Sequence, residues 1–298
     1  MSTAMTRFLS PRYVVPFIGA TASLGLAYHY STQSFIRNET GKTFTGGDEW
    51  IDLTLKKAEQ LNHNTKHLIF DLKDKDDVSG LVVASMLMTK FVTPKGNNVI
   101  RPYTPVSDVD QKGDIEFVVK KYDEGKMSSH IHDLKEGDTL SFKGPFVKWK
   151  WEPNQFKSIA LIGGGSGITP LYQLLHAITS NPEDKTKVQL FYGNLSPDDI
   201  LIKDRLDEIT KNNKDQVNVT YFVNDKKGQD FDGEVGFITK DFLQKHLDKP
   251  SPDTKIFVCG PPGLYDAISG NKKSPSDQGE VTGALADLGY TKEHVFKF

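Results

Sequence analysis

The hydrophobic rhythm of the chain changes near Trp151–Phe156, and that change limits the fold more than any single motif does. From Trp50 up to that point, apolar residues come in short alternating runs, WIDLTLKKAEQL, KHLIFDL, DIEFVVKKY and DTLSFKGPF, each bounded by turn residues. Alternation places successive side chains on opposite faces, the pattern of a half-buried strand. No helix of convincing length is visible there, so the region reads as a small antiparallel β-barrel or sandwich. After Pro153 strand-like and helix-like stretches take turns: FKSIALIGGG, TPLYQLLHAIT, KVQLFYGN, IKDRLDEITKNN, VNVTYFVN, FITKDFLQKHL, KIFVCG, GEVTGALADLGY and a closing strand HVFKF. Such alternation predicts βαβ units and a parallel α/β sheet.

A length of 298 residues accommodates both regions, on a prior of roughly 150 residues per domain. The expected division is an N-terminal segment and linker over 1–42, a β-barrel domain over 43–152 and an α/β domain over 153–298. A net charge of −2 gives no general pull towards nucleic acid. The single cysteine, Cys259, excludes an internal disulfide and a cysteine-rich zinc site. His130 and His132 form an HxH pair that a strand would place on one face, but no stronger metal spacing accompanies it.

The first residues differ from the rest. Met1–Asn38 contains no acidic residue, and Arg7 and Arg12 precede the uncharged run YVVPFIGATASLGLAYHY, Tyr13–Tyr30. The run approaches the ~20 residues that span a bilayer, although Pro16, Gly19 and Gly25 weaken it as a helix. Arginine, serine and threonine without acids also suit an organellar targeting segment, so a membrane anchor is expected here. Ser31–Asp48 reads as a polar linker.

Three motifs carry chemistry. RPYTPVS, Arg101–Ser107, sets an anion binder, an aromatic ring and two hydroxyls beside two prolines. The prolines fix φ at 102 and 105 and push Arg101 and Thr104 towards extended geometry. The result is a stiff ribbon with Arg101 and Tyr103 on one side and Thr104 on the other, which also reads simply as a strand ending in a turn. IGGGSGITP follows a strand and opens a helix. Gly163, Gly164, Gly165 and Gly167 allow a tight turn and close approach of a ligand, Thr169 is the expected N-cap and Pro170 the first helical residue. Free backbone N–H groups and the helix dipole there suit a pyrophosphate. Against the pattern GxGxxG the match is partial, since Ile168 stands at the third glycine and Glu183 and Asp184 fall in a turn. VCGPPG, with Cys259, Gly260, Pro261 and Pro262, repeats the strand–glycine–helix grammar at what a parallel sheet makes its ligand edge.

In this order RPYTPVS, GKMSSH at 125–130, GGGSGITP and CGPPG resemble the ferredoxin-NADP reductase superfamily. Within it the wording, from about Trp50 to the VFKF ending, is most similar to the NADH-cytochrome b5 reductases, and with the apolar N-terminus to the mitochondrial fungal form. The resemblance implies an FAD domain followed by an NADH domain. It implies that Arg101 pairs with an FAD phosphate, that Pro102 and Tyr103 lie along the flavin, that Thr104 sits by the hydride-accepting ring nitrogen, and that Ser107 completes the motif. Gly125, Lys126, Met127 and Ser128 match the segment that wraps the FAD pyrophosphate. Gly163–Gly167, Ser166 included, and Gly260–Pro262 line the nicotinamide side, with Thr169 near the flavin and Cys259 beside the nicotinamide as a packing residue. Lys120 matches a lysine that helps bind NADH, and Asp225 an acid near the adenine ribose. Thr104, Thr169 and Cys259 are the catalytic set implied. The activity implied is hydride transfer from NADH to FAD, then single-electron transfer to cytochrome b5, at the mitochondrial outer membrane with a processed form in the intermembrane space. Another acceptor, a quinone or ferric chelate, and a membrane-tethered nucleotide-binding module without turnover are the alternatives. The stretch LVVASMLMTKFVTPKGN departs from the family wording and leaves the register before Arg101 open.

Overall fold

A computed structural model describes residues 41–298; the expected anchor at Tyr13–Tyr30 lies outside the described residues. The first half forms β1 (Ile51–Asn62), β2 (Thr65–Asp71), β3 (Ser85–Val92), β4 (Asn98–Tyr103), β5 (Asp114–Lys120) and β6 (Thr139–Val147). They make one six-stranded antiparallel sheet in the order β4-β3-β6-β1-β2-β5. The open register before Arg101 resolves into β3 paired with β4, Thr89 opposite Arg101 and Leu87 opposite Tyr103. Pro102 is tolerated because β4 is an end strand and one face of its ladder has no partner to satisfy.

Alternation in these strands buries Leu53, Leu55, Leu68, Phe70, Phe117 and Phe142 on one face. Phe142 is the centre of that core: its ring meets Phe70 at 5.1 Å, Phe117 at 5.4 Å and Phe44 at 6.4 Å. Phe44 comes from the stretch expected to be linker, yet it is only 1% exposed. Phe44 N–H donates to Ser79 O at 2.9 Å and Thr43 N–H to Val78 O at 3.0 Å, so the packed chain begins ahead of Trp50. A lone aromatic among glycines and polar residues carries no periodicity, which is why the pattern missed it.

A second departure is α1 (Lys126–Asp133), a helix inside the region read as all strand. It packs against both β4 and β5. The HxH pair therefore lies on a helix, and its rings are engaged: His130 stacks on Phe91 at 4.0 Å and the His132 ring bonds Val119 O at 2.8 Å.

The second half contains β7 (Ser158–Gly164), α2 (Ile168–Ser180), β8 (Lys187–Asn194), α3 (Lys203–Asn212), β9 (Val217–Val223), β10 (Glu234–Val235), α4 (Lys240–His246), β11 (Thr254–Cys259), α5 (Pro262–Ile268), α6 (Gly283–Asp287) and β12 (Val295–Lys297). The strands form a parallel sheet in the order β10-β9-β8-β7-β11-β12. Buried on both faces, β7 and its neighbours read as near-continuous apolar runs. Ile159 and Leu161 face α2 and α3 through Leu171, Leu175 and Leu206. Ala160 and Ile162 face the other layer through Leu243, Ile268 and Leu285. The stretch GEVTGALADLGY gives only the short α6, because Gly283 and Gly289, at φ +65° and +87°, enclose it with left-handed backbone.

The change of rhythm near Trp151 is a packed junction. Trp149 meets Phe257 at 5.3 Å and Phe296 at 5.0 Å, and Trp151 Nε1 donates to Asp184 Oδ2 at 2.9 Å. Asp184 is buried and also accepts from the N–H groups of Asn154 and Thr186. It therefore serves this junction.

Candidate functional site

The chain starts the parallel sheet at β7, moves outward through β8, β9 and β10, then returns to place β11 on the other side of β7. A crevice opens at such a switch point, beyond the carboxyl ends of the two strands. Both glycine loops lie there, with Gly163 directly opposite Cys259. The first loop is a 3-10 turn, Gly165–Gly167, that runs straight into α2. Gly167 caps the helix, so Thr169 is its second residue and Pro170 its third, each two positions further into the helix than expected. Thr169 Oγ1 instead donates to Ser166 O at 3.4 Å.

The glycines are required by proximity. A Cβ on Gly167 would lie 2.2 Å from Cys259 O, and one on Gly164 2.9 Å from the Pro261 ring. Gly165 has φ +52° and nothing within 4 Å of its Cβ position, so its peptide borders open space. Buried Tyr192 donates to Gly165 O at 2.8 Å and accepts from Leu201 N–H at 3.3 Å, which fixes the turn from below. The bare peptide of this loop, ahead of a helix, suits a pyrophosphate. Gly260 packs under it, while Pro262 opens α5. Cys259 is half-buried, and burial pushes its thiol up to about 11. It stays protonated at neutral pH, in keeping with a packing role.

On the strands of the antiparallel sheet the polar groups are side chains. Arg101 is exposed, and its guanidinium Nη1 donates to Ile100 O at 2.7 Å. Among the described residues no carboxylate pairs with it. Tyr103 is half-buried, and burial, then the neighbouring Tyr122, push its phenol up to about 12. Thr104 is half-buried just past the strand. Ser107 Oγ accepts from Glu116 N–H at 3.1 Å, which ties the ribbon to β5.

The GKMS segment is the beginning of α1. Gly125 is the N-cap and supplies no side-chain cap, so the first N–H groups of Lys126, Met127 and Ser128 stay available. A Cβ on Gly125 would lie 2.3 Å from Ser128 Oγ and displace the hydroxyl that donates to Gly125 O and accepts from Tyr122 N–H. The Met127 side chain is buried in the sheet core, so only its peptide is available to a ligand. Lys126 is exposed. An unpaired guanidinium on β4 and an uncapped helix packed against β4 suit a diphosphate, the charged part of FAD.

Lys120 ends β5 and is not free. Its Nζ donates to Asp199 Oδ1 at 2.8 Å, with the lysine side chain 10% exposed. Burial opposes the charge on Asp199, but bonds from Lys120 and Ser196 hold its carboxyl below the usual range. Asp199 borders an open cleft of about 590 Å³ together with His63, Asp198, Asp225 and Lys227. Asp225, exposed just beyond β9, accepts from Lys227 N–H at 2.8 Å and pairs with Lys227 Nζ at 3.3 Å. The structure thus brings Asp225 and the partner of Lys120 to one cleft, and Thr169 and Cys259 to the glycine crevice.

Sequence reasoning missed several polar residues. Tyr122 OH meets Ser166 Oγ at 2.7 Å across the two halves. Asn194, buried at the end of β8, has neither amide atom bonded among the described residues. Its position at a strand end in the parallel sheet is the one signal that marked it.

An FAD-side sheet with a stiff arginine ribbon and a parallel sheet with glycine loops at its switch point define a flavin- and nicotinamide-dependent oxidoreductase. The family model for an oxidoreductase FAD-binding domain matches residues 52–151, and that for an oxidoreductase NAD-binding domain matches residues 161–270. NADH-cytochrome b5 reductase 2 of Lodderomyces elongisporus is 74% identical over 98% of both chains. The protein of the same name from Candida albicans is 69% identical over 99% of this chain and 98% of its own. The cytochrome b5 reductase domain of Ulva prolifera nitrate reductase superposes with a TM-score of 0.75 at 26% identity, covering 87% of this chain and all of that one. The chain belongs to the NADH-cytochrome b5 reductase family; it binds FAD and NADH and is an NADH-dependent flavoprotein oxidoreductase.

Proposed function

We propose that this chain passes electrons from NADH through FAD to a cytochrome b5. The names of its 74% and 69% identical relatives carry the choice of acceptor. FAD supplies the chemistry that joins a two-electron donor to a one-electron acceptor. The protein's part is proximity and orientation. In this proposal the antiparallel strands roll into the flavin barrel, with α1 lying across β4 and β5. Arg101, Lys126 and the first peptides of α1 hold the diphosphate, and Pro102, Tyr103 and Thr104 lie along the isoalloxazine. The peptides of Gly163–Gly167 and Gly260–Pro262 hold the nicotinamide half, Thr169 and Cys259 flank the reacting ring, and Lys120 and Asp225 face the remainder of NADH.

We also propose that Tyr13–Tyr30 anchors the protein at the mitochondrial outer membrane, with a processed form in the intermembrane space. The acid-free, arginine-bearing first 38 residues support this. Among the described residues no helix is long and apolar enough to cross a membrane.

Rapid mixing of the purified protein with NADH, then with cytochrome b5, tests the electron path. Flavin bleaching should precede haem reduction, and the haem step should slow with rising salt if Lys126 helps steer an acidic partner. A quinone or ferric chelate reduced faster than cytochrome b5 would replace the acceptor named here.

A further inference from the structure

Beyond Tyr103 the ribbon leaves its own sheet and is held by side chains of the other half. Gln173 Nε2, on α2, donates to Pro105 O at 3.2 Å. Arg205 Nη1, on α3, donates to Val106 O at 3.1 Å, and its Nη2 to Glu116 Oε2 at 2.9 Å. Val106 itself is buried in the apolar cluster that α2 and α3 build on the parallel sheet. Glu116 holds the ribbon from behind: its carbonyl accepts from Val106 N–H at 2.8 Å and its own N–H donates to Ser107 Oγ. The Glu116 carboxylate also meets His67 Nε2 at 2.8 Å and Gln111 Nε2 at 3.1 Å. One residue before Pro105 stands Thr104. One helical turn before Gln173 stands Thr169.

Gln173 is buried, yet its Oε1 has no partner among the described residues. The unpaired buried acceptor costs stability and offsets what the Nε2 bond contributes by satisfying the Pro105 carbonyl, so the amide gives little net stability. Net stability alone therefore does not account for the amide. What the amide does is fix one peptide of the ribbon against one turn of α2.

We infer that Gln173 and Arg205 are positioning residues that set the spacing between the flavin edge beside Thr104 and the nicotinamide beside Thr169. The inference rests on the placement of Thr104 and Thr169 proposed above. Gln173 acts through the Pro105 carbonyl and Arg205 through the Val106 carbonyl, with Glu116 keeping the guanidinium oriented. Neither side chain needs to touch either cofactor.

The test compares Gln173→Met, Arg205→Met and Arg205→Lys, with Thr104→Val as a check on the placement. Gln173→Met should keep its FAD, lose only the few degrees of Tm that the orphaned Pro105 carbonyl costs, and bind NAD+ within about twofold of the original, while flavin reduction by NADH slows roughly tenfold, more than the Tm loss accounts for. The long-wavelength charge-transfer absorbance of the reduced protein with NAD+ should weaken in parallel. Arg205→Met should move the same way, and Arg205→Lys should recover part of the rate, because lysine keeps the Glu116 pair and loses the fork. A Gln173→Met protein with the original rate and full absorbance band overturns the inference. So does a rate loss that merely tracks lost Tm or lost FAD. Should Gln173→Met fail to fold, the two Arg205 variants decide, and original rates in both overturn it. Thr104→Val separates the two claims: if it leaves reduction unchanged, the placement of the flavin edge fails, whatever Gln173→Met does.

Discussion

On the antiparallel side charged side chains, Arg101 on an end strand and Lys126 at a helix start, are offered to a cofactor beside the first peptides of α1. On the parallel sheet the groups offered are peptides, bared by glycines that touch a second loop across the crevice. A side chain can be removed without moving the backbone that carried it. A peptide held at 2.2 Å from where a Cβ would stand cannot change without moving its neighbour. Loss on the first side should therefore be graded and rescuable, and loss on the second side abrupt.

The largest effect is expected at Gly167→Ala. Its new methyl collides with Cys259 O, and the loop must shift. Flavin reduction by NADH should fall by about a hundredfold, the scale of a 1 Å misplacement, while FAD content is unchanged. Stopped-flow traces beside a flavin absorbance spectrum check both, and an original rate would break the contrast. Next is Arg101→Ala. Removing a charge-assisted contact to phosphate should weaken FAD binding by roughly 1.5–3 kcal/mol, about ten- to a hundredfold, as measured by titration of the apoprotein. Arg101→Lys should recover part of it, since the charge remains and the planar fork does not. Full FAD content in Arg101→Ala would show that the α1 peptides suffice.

A smaller change is expected at Asp225→Ser, which removes a negative charge from the cleft wall. A 2′-phosphate would then meet less repulsion, and the preference for NADH over NADPH should narrow by roughly tenfold or less. Unchanged relative kcat/KM values would place the discrimination elsewhere. The smallest effect joins the two sides. His67 above all, and then Arg205 and Gln111 against the cost of burial, hold the Glu116 carboxyl down at about 2, below its ordinary 4.5. A depressed carboxyl contributes stability above its unfolded value and loses it as pH falls towards the folded one. Glu116→Gln should therefore flatten the decline of Tm between pH 4.5 and 2 and leave its slope above pH 5. Parallel curves across that acid range would remove Glu116 from the stability of the contact.

The two-sheet plan was legible because period two and strand–helix alternation are local signals, as in KHLIFDL and KVQLFYGN. RPYTPVS, GGGSGITP and CGPPG were legible because each is contiguous. The helix α1 was not, since KMSSHIHD is only eight residues long and its burial against β4 and β5 is decided by tertiary contact. The same holds for the polar residues between the halves. Lys120 meets Asp199, and Glu116 meets Arg205, each across a long stretch of chain, and no spacing in the sequence announces such a pair. Phe44 illustrates a third limit: one ring in GKTFTGG has no neighbours in sequence to reveal that Phe142 awaits it.

The position of β1 in its sheet bears on how the protein is made. β1 is the first strand in the described chain, but it lies between β2 and β6, and Ile51 pairs with Phe142. The β1–β2 hairpin can form as soon as both strands leave the ribosome. The rest of that pairing must wait until β6 has been synthesised, with β3, β4, β5 and α1 emerging in between. Pairings so distant in sequence slow folding, because loop closure is paid before the contact rewards it. Until β6 arrives, the apolar face of β1 and its open edge are exposed, which is the interval in which a nascent chain is vulnerable to aggregation and in which chaperone binding would matter most.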